Sequence, residues 1–295
     1  MGTRKPNPDD MKNDMIKYQK LMKSIGFEPN SRLGQVFLID NNIITEQLSW
    51  AKITKHDTIL EIGPGLGALT CKLAEVAKKV VAIEYDKKLY SYLQTIIPDN
   101  VDLHQADVLD IELPKFNKIV SNIPYQISSP LIFKLIDYHF ELAILMFQSE
   151  FADRLSAYPN TKDYSRLTVM ASYYFDIKYL RTVPASSYTP KPKVGSAIIE
   201  LKPKKHKLIA NNEPFFFKFV KIIFGSRRKM IRNSLMSLIG KYKFNKSEFK
   251  EILSSLPNTT QRPEQLNLER LIELSDELYL RLKQSSQNTL VKGSE

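Results

Sequence analysis

Between residues 30 and 150 the chain alternates short runs of apolar, β-rich residues with stretches of helical periodicity. That alternation predicts an α/β fold with a parallel sheet, because strands running the same way need a crossover between them. The strand candidates are Thr58–Ile62, Lys79–Ile83, Val101–His104, Ile119–Ser121 and Leu142–Phe147. The first, second and fourth are nearly unbroken apolar runs, as expected of strands covered on both faces. Upstream, residues 13–26 place Met15, Tyr18, Leu21, Met22 and Ile25 on one side of a predicted helix. Downstream, residues 164–176 read as helix and Ala197–Leu201 as a late strand. Val183–Val194 lies between them with three prolines, which suits a wall or lid better than a free linker. Residues 214–280 are helical in pattern, so a small all-α domain closes the chain. The expected boundaries are an N-terminal extension over 1–29, an α/β domain over 30–205, a helical domain over 206–283 and a polar tail over 284–295.

Charge narrows the class of partner. The 295 residues carry a formal charge of +11, with a pI near 9.4, in an otherwise ordinary composition of 43% hydrophobic and 25% charged residues. Such an excess favours polyanions through steering and counterion release. Arg227, Arg228, Lys229 and Arg232 follow an apolar stripe (Phe216, Phe219, Val220, Ile223) at helical spacing. The stripe reads as a core face and the cations as phosphate contacts. A single cysteine, Cys71, excludes an internal disulfide framework, and the four histidines show no metal-ligand spacing, so no metal is expected. No apolar run approaches the roughly 20 residues that span a bilayer, and no apolar leader precedes the first helix. The expectation is a cytoplasmic protein.

Two motifs carry the chemistry. Ile59-Leu-Glu-Ile-Gly-Pro-Gly-Leu-Gly67 joins the first strand candidate to a helical stretch, and its glycines permit a tight turn and close approach of a ligand. The next strand ends in Glu84, 21 residues after Gly63, where doubly wound folds hold the ribose of an adenosine-bearing ligand. Dinucleotide enzymes share this arrangement. However, Pro64 has no N–H to offer a pyrophosphate, and Glu61 before the turn is typical of sites that hold the cationic amino-acid end of S-adenosylmethionine. Asp107, after the third strand, is placed to accept from an adenine amine. The second motif, Asn122-Ile-Pro-Tyr125, follows the fourth strand. Its amide oxygen and a backbone carbonyl can accept both protons of an exocyclic amine while the ring stacks on the base. Each acid alone reads as a helix cap; all of them in this order at strand ends make a site.

Together these segments resemble the ribosomal RNA adenine N6-dimethyltransferases of the KsgA type. The resemblance runs from about residue 31 to 270 and takes in Leu33-Gly-Gln-Val-Phe-Leu38, the glycine turn, Glu84, Asp107 and Asn122–Pro130. It continues through Met146–Arg154, Tyr188, Pro192–Ser196 and Phe224–Leu235. Gln126-Ile-Ser-Ser129 and Ala143–Gln148 are similar to the archaeal and eukaryotic branch. The resemblance implies a Rossmann-like S-adenosylmethionine methyltransferase domain with a small all-α C-terminal domain. It implies donor contacts at Val36, Leu38, Gly63, Glu84, Asp107 and Asn122, and target-base contacts at Asn122, Pro124, Tyr125 and Tyr188. The implied substrate is small-subunit rRNA near its 3′ end, in a pre-ribosomal particle, met by a monomer. Three positions depart from the family pattern: Val36 for Asn or His, Ser149 for a basic residue and Gly195 for an acid. Tyr188 for Phe keeps the stacking face. A large-subunit methylase of the macrolide-resistance type and a non-catalytic assembly factor are the alternatives; the intact motifs and the Arg227–Leu235 run favour the small-subunit enzyme.

Overall fold

A computed structural model describes residues 8–30, 34–205, 208–242 and 245–292. Leu33, which opens the Leu33–Leu38 segment of the resemblance, and the chain ends at 1–7 and 293–295 lie outside the described residues. The strands are β1 Phe37–Leu38, β2 Thr58–Ile62, β3 Lys79–Glu84, β4 Val101–Gln105, β5 Lys118–Asn122, β6 Leu142–Gln148, β7 Phe175–Val183, β8 Tyr188–Thr189 and β9 Ser196–Pro203. The helices are α1 Pro8–Ser24, α2 Asn41–Ala51, α3 Ala68–Val76, α4 Lys87–Leu93, α5 Ser128–Lys134 and α6 Ser149–Leu155. After them come α7 Arg166–Tyr174, α8 Glu213–Phe224, α9 Ile231–Leu235, α10 Ile239–Tyr242, α11 Lys246–Ser255 and α12 Leu268–Lys292.

Seven strands form one sheet in the order β4-β3-β2-β5-β6-β9-β7. The first five are parallel, and β9 pairs antiparallel with both β6 and the edge strand β7, so the sheet is mostly parallel and doubly wound, with antiparallel pairings at one edge. The continuous apolar runs are indeed buried on both faces: Ile59, Leu60, Val80, Ala82, Ile119 and Val120 have no exposed surface. The predicted strands all form. Two elements differ from the sequence expectation. Helix α7 stops at Tyr174, and β7 begins at the next residue, because Phe175–Val183 lies along β9 at the edge, where Lys178 and Arg181 are tolerated. The polar segment after 283 continues α12 as helix to Lys292 rather than forming a separate tail.

Contacts divide the chain into two units, residues 1–153 with 175–203, and residues 154–174 with 204–295. The expected single α/β stretch over 30–205 therefore loses 154–174. The reason is packing. Tyr173 of α7 stacks on Phe216 of α8 at 5.2 Å and donates its hydroxyl proton to Glu213 Oε1 at 2.9 Å. The α8 stripe is core, as its spacing suggests: Phe216, Phe219, Val220 and Ile223 are buried, each contributing about 1.5–3 kcal/mol by removal from water. In the first unit, α1 is no detached extension. Tyr18, Leu21, Met22 and Ile25 pack with Phe27 against Phe37, Leu66 and Leu89. Among the described residues, no helix is long and apolar enough to cross a membrane.

Candidate active site

The sheet reverses its winding between β2 and β5, and ligands in such folds bind outside the strand carboxyl ends at that point. Here the physical cause is visible. The β2–β5 ladder registers only Ile59 with Lys118 and Leu60 with Ile119. Beyond it the Ser121 hydroxyl replaces the ladder, donating to the Ile62 carbonyl at 2.6 Å and accepting from the Ile62 N–H at 3.1 Å. Past this clamp lies a cavity of about 300 Å³ in the first unit. Its lining includes Val36, Leu38, Gly63, Glu84, Asp107, Asn122, Pro124, Tyr125 and Tyr188. The structure thus gathers every donor and base position that the sequence nominated.

On one side the backbone does the positioning. Gly63 has φ +69°, and a Cβ there would meet Pro124 Cγ at 3.1 Å. Gly65, also at positive φ, donates its N–H to Glu84 Oε2 at 3.0 Å. Asp86 N–H donates to Glu84 Oε1 at 2.8 Å, so both carboxylate oxygens are held. Burial nevertheless lifts the Glu84 carboxyl to about 7, opposed by those two N–H bonds. Glu61 is 2% exposed and lines the same cavity. Burial, with the charge of Glu84 added, pushes it up to about 8, and its Oε2 has no hydrogen-bond partner among the described residues. Asp107 Oδ1 accepts from the Leu109 N–H at 2.8 Å.

Val36 and Leu38 reach the site because β1 pairs antiparallel with β8, setting Leu38 opposite Tyr188. Val36 presents an apolar face, packed partly into the core. Tyr18 of α1 also lines the cavity. Its phenol is raised to about 12 by burial and by the nearby Asp14. Cys71 sits half-buried in α3, its thiol pushed up chiefly by burial, as suits an inert side chain.

The opposite side is held by side chains. Asn122 ends β5, and its Oδ1 accepts from Gln47 Nε2 of α2 at 2.8 Å. The next residue, Ile123, donates its N–H to the Met146 carbonyl at 3.0 Å, fixing the turn on β6. Tyr125 and Ser196 share a hydroxyl hydrogen bond of 2.9 Å. Tyr188 is 4% exposed and donates to Met146 Sδ at 2.9 Å, its phenol raised above the usual range by burial. Gly195, one of the departures, has a structural reason: a Cβ there would stand 2.8 Å from the Val183 carbonyl. Its own carbonyl accepts from the Ser149 N–H at 3.0 Å, so two of the departing positions hold each other. Sequence reasoning missed Gln47, Tyr18 and Met146. Only Gln47 left a signal, as a polar residue on the buried side of α2 with Ile43, Ile44 and Ala51.

The four nominated cations belong to the second unit and are not equivalent. Arg227 is committed to Glu264, Nε to Oε2 at 3.1 Å, and donates to the Tyr164 carbonyl at 3.3 Å. Arg228, Lys229 and Arg232 are exposed in and after the turn that follows α8.

A doubly wound sheet with a glycine turn, an acid after each of the next two strands and an Asn-Ile-Pro-Tyr turn defines a Rossmann-like methyltransferase. A sequence profile of the family described as ribosomal RNA adenine dimethylase matches residues 26–273, and the chain belongs to that family of S-adenosylmethionine-dependent enzymes. A relative from Methanococcus maripaludis, a probable ribosomal RNA small subunit methyltransferase A, is 40% identical over 85% of this chain and 96% of its own. Among solved structures, a dimethyladenosine transferase from Plasmodium falciparum is similar with a TM-score of 0.73 and 31% identity, over 84% of this chain and 98% of that one. The 23S rRNA methyltransferase ErmE gives 0.59 and 29%, over 81% and 99%.

Proposed function

We propose that this chain dimethylates N6 of two adjacent adenosines near the 3′ end of small-subunit rRNA, as a cytoplasmic monomer acting on a pre-ribosomal particle. The observation that carries this reading is the single cavity shared by the glycine turn, Glu84, Asp107 and the Asn122–Tyr125 turn. The Methanococcus relative supports the small subunit as target over the large-subunit alternative.

The residues suit S-adenosylmethionine. Glu61, buried with one oxygen unpartnered, offers a carboxylate that a cationic amino-acid end would satisfy. Glu84 would hold the ribose and Asp107 the adenine amine, with Val36, Leu38 and Gly63 against the donor. Bound there, the donor supplies a methyl group already activated by its sulfonium charge. The chain's own task is to prepare the acceptor. The lone pair of an adenine N6 is conjugated into the ring and a poor nucleophile. Asn122 Oδ1 and the Ile123 carbonyl accept its two N–H bonds, which draws the nitrogen toward a tetrahedral shape and aims the lone pair. Tyr125 and Tyr188 flank the base, each stacking contact contributing about 1–3 kcal/mol. Positioning and fixed dipoles then supply the rate, and no strong general base is needed. After the first transfer one N–H remains to be held, so a second can follow. Arg228, Lys229 and Arg232 take phosphates, while Arg227 steadies the turn that carries them.

Incubation with labelled donor and purified small-subunit particles tests the reading. The expected result is N6-dimethyladenosine mapped near the 3′ end of their rRNA; label entering only large-subunit RNA overturns it.

A further inference from the structure

We infer that Gln47 is a positioning residue for the transfer, acting through Asn122. This rests on Asn122 being the acceptor of the target amine, as proposed above. Gln47 lies in α2, whose entry is fixed by Asp40 accepting the Asn42 N–H at 3.0 Å. Its neighbours on the buried face are Ile43, Ile44 and Ala51, so an aliphatic side chain would satisfy the helix. Instead an amide is fully buried there, 0% exposed, and its Oε1 has no partner among the described residues. Such burial costs stability. What the amide does make is one hydrogen bond, Nε2 to Asn122 Oδ1 at 2.8 Å, across 75 residues of sequence.

The consequence follows from the lone pairs. An Asn side chain can turn over, exchanging its acceptor oxygen for an NH₂ donor. A turned-over Asn122 would set donors against the N–H donors of an adenine amine and repel it. In the pairing present, the Gln47 N–H bonds one lone pair of Oδ1, which holds the oxygen in place and leaves the second lone pair for the target. The demand is strictest in the second methylation, when the amine has only one N–H by which to be held.

Gln47→Leu and Gln47→Met test this. Both remove the hydrogen bond, keep much of the volume and relieve the unpartnered oxygen, so folding is expected to be preserved and Tm unchanged or raised. The expected result is a fall in kcat of about 10- to 100-fold, the range of a misplaced reacting group, with donor Kd and RNA KM unchanged. The product should shift from dimethyl- to monomethyladenosine. Wild-type kcat and product ratio in either variant overturn the inference. So does a loss of activity matched by falls in Tm and donor affinity, which would make Gln47 a packing residue only. Asn122→Ala, assayed alongside, separates the two readings: if it is active, the acceptor assignment itself fails; if it is inactive while the Gln47 variants behave as wild type, only the role of Gln47 fails.

Discussion

The two sides of the cavity are built by different means. Around the glycine turn, main-chain N–H groups do the holding: Gly65 and Asp86 donate to the two oxygens of Glu84. Around the Asn-Ile-Pro-Tyr turn, the contacts come largely from side chains on distant elements, Gln47 on Asn122, Ser196 on Tyr125 and Met146 on Tyr188. The donor is the same molecule in every turnover and suits a rigid cradle. On the proposed reading the target amine is met first unmethylated and then monomethylated, and its side of the cavity is set by hydrogen bonds that several elements bring together. Substitution should accordingly cut catalysis on one side and donor affinity on the other.

The largest effect expected is at Asn122. Asn122→Ala should lower kcat by about 100-fold or more, the scale of losing one preorganised polar group, with donor affinity by calorimetry altered only a few-fold. A comparable loss of both would mean the sides are not separable. Next is Glu84→Gln. It weakens a charge-assisted bond from Gly65 that holds the turn, and donor Kd should rise about ten-fold, consistent with about 1.5–3 kcal/mol for a hydrogen bond to a charged group, while kcat at saturating donor changes little.

Then comes pH. In the donor-free fold Glu61 and Glu84 are lifted by burial to about 8 and about 7 from an ordinary 4.5. Between about 4.5 and 8 the folded chain therefore binds more protons than the unfolded one, and stability falls as pH rises through that window. Denaturant midpoints should show this slope, flattened in Glu61→Gln. A rising midpoint across the window would contradict the burial. The smallest effect expected is Tyr188→Phe, since it keeps the stacking face and removes a hydroxyl that donates to a weak thioether acceptor; activity should stay within about three-fold.

The same contrast decides what could be read before the fold was known. Glycines at 63, 65 and 67, with acids at strand ends, are legible because a backbone that turns at positive φ close to a ligand tolerates little else. The strands β2, β3 and β5 were legible as unbroken apolar runs. Less legible was β7, whose mixed burial follows from its edge position and resembles the end of a helix. Gln47 carries no motif, and its meaning depends on where α2 lands against β5. Arg227 reads as one of four equivalent cations until the fold brings Glu264 to it. Residues whose role is local are visible in sequence; residues whose role is a partner far along the chain are not.

Gly63 and Pro124 abut so closely that a single methyl group added to the glycine would press on the proline ring at 3.1 Å. The glycine turn and the Asn-Ile-Pro-Tyr turn therefore meet at a seam with no room for a side chain. With the donor and target base placed as proposed, this seam would set the span a methyl group must cross. Redesigning the pocket for a bulkier amine would have to begin by moving this seam, because enlarging either half alone leaves the span between them unchanged.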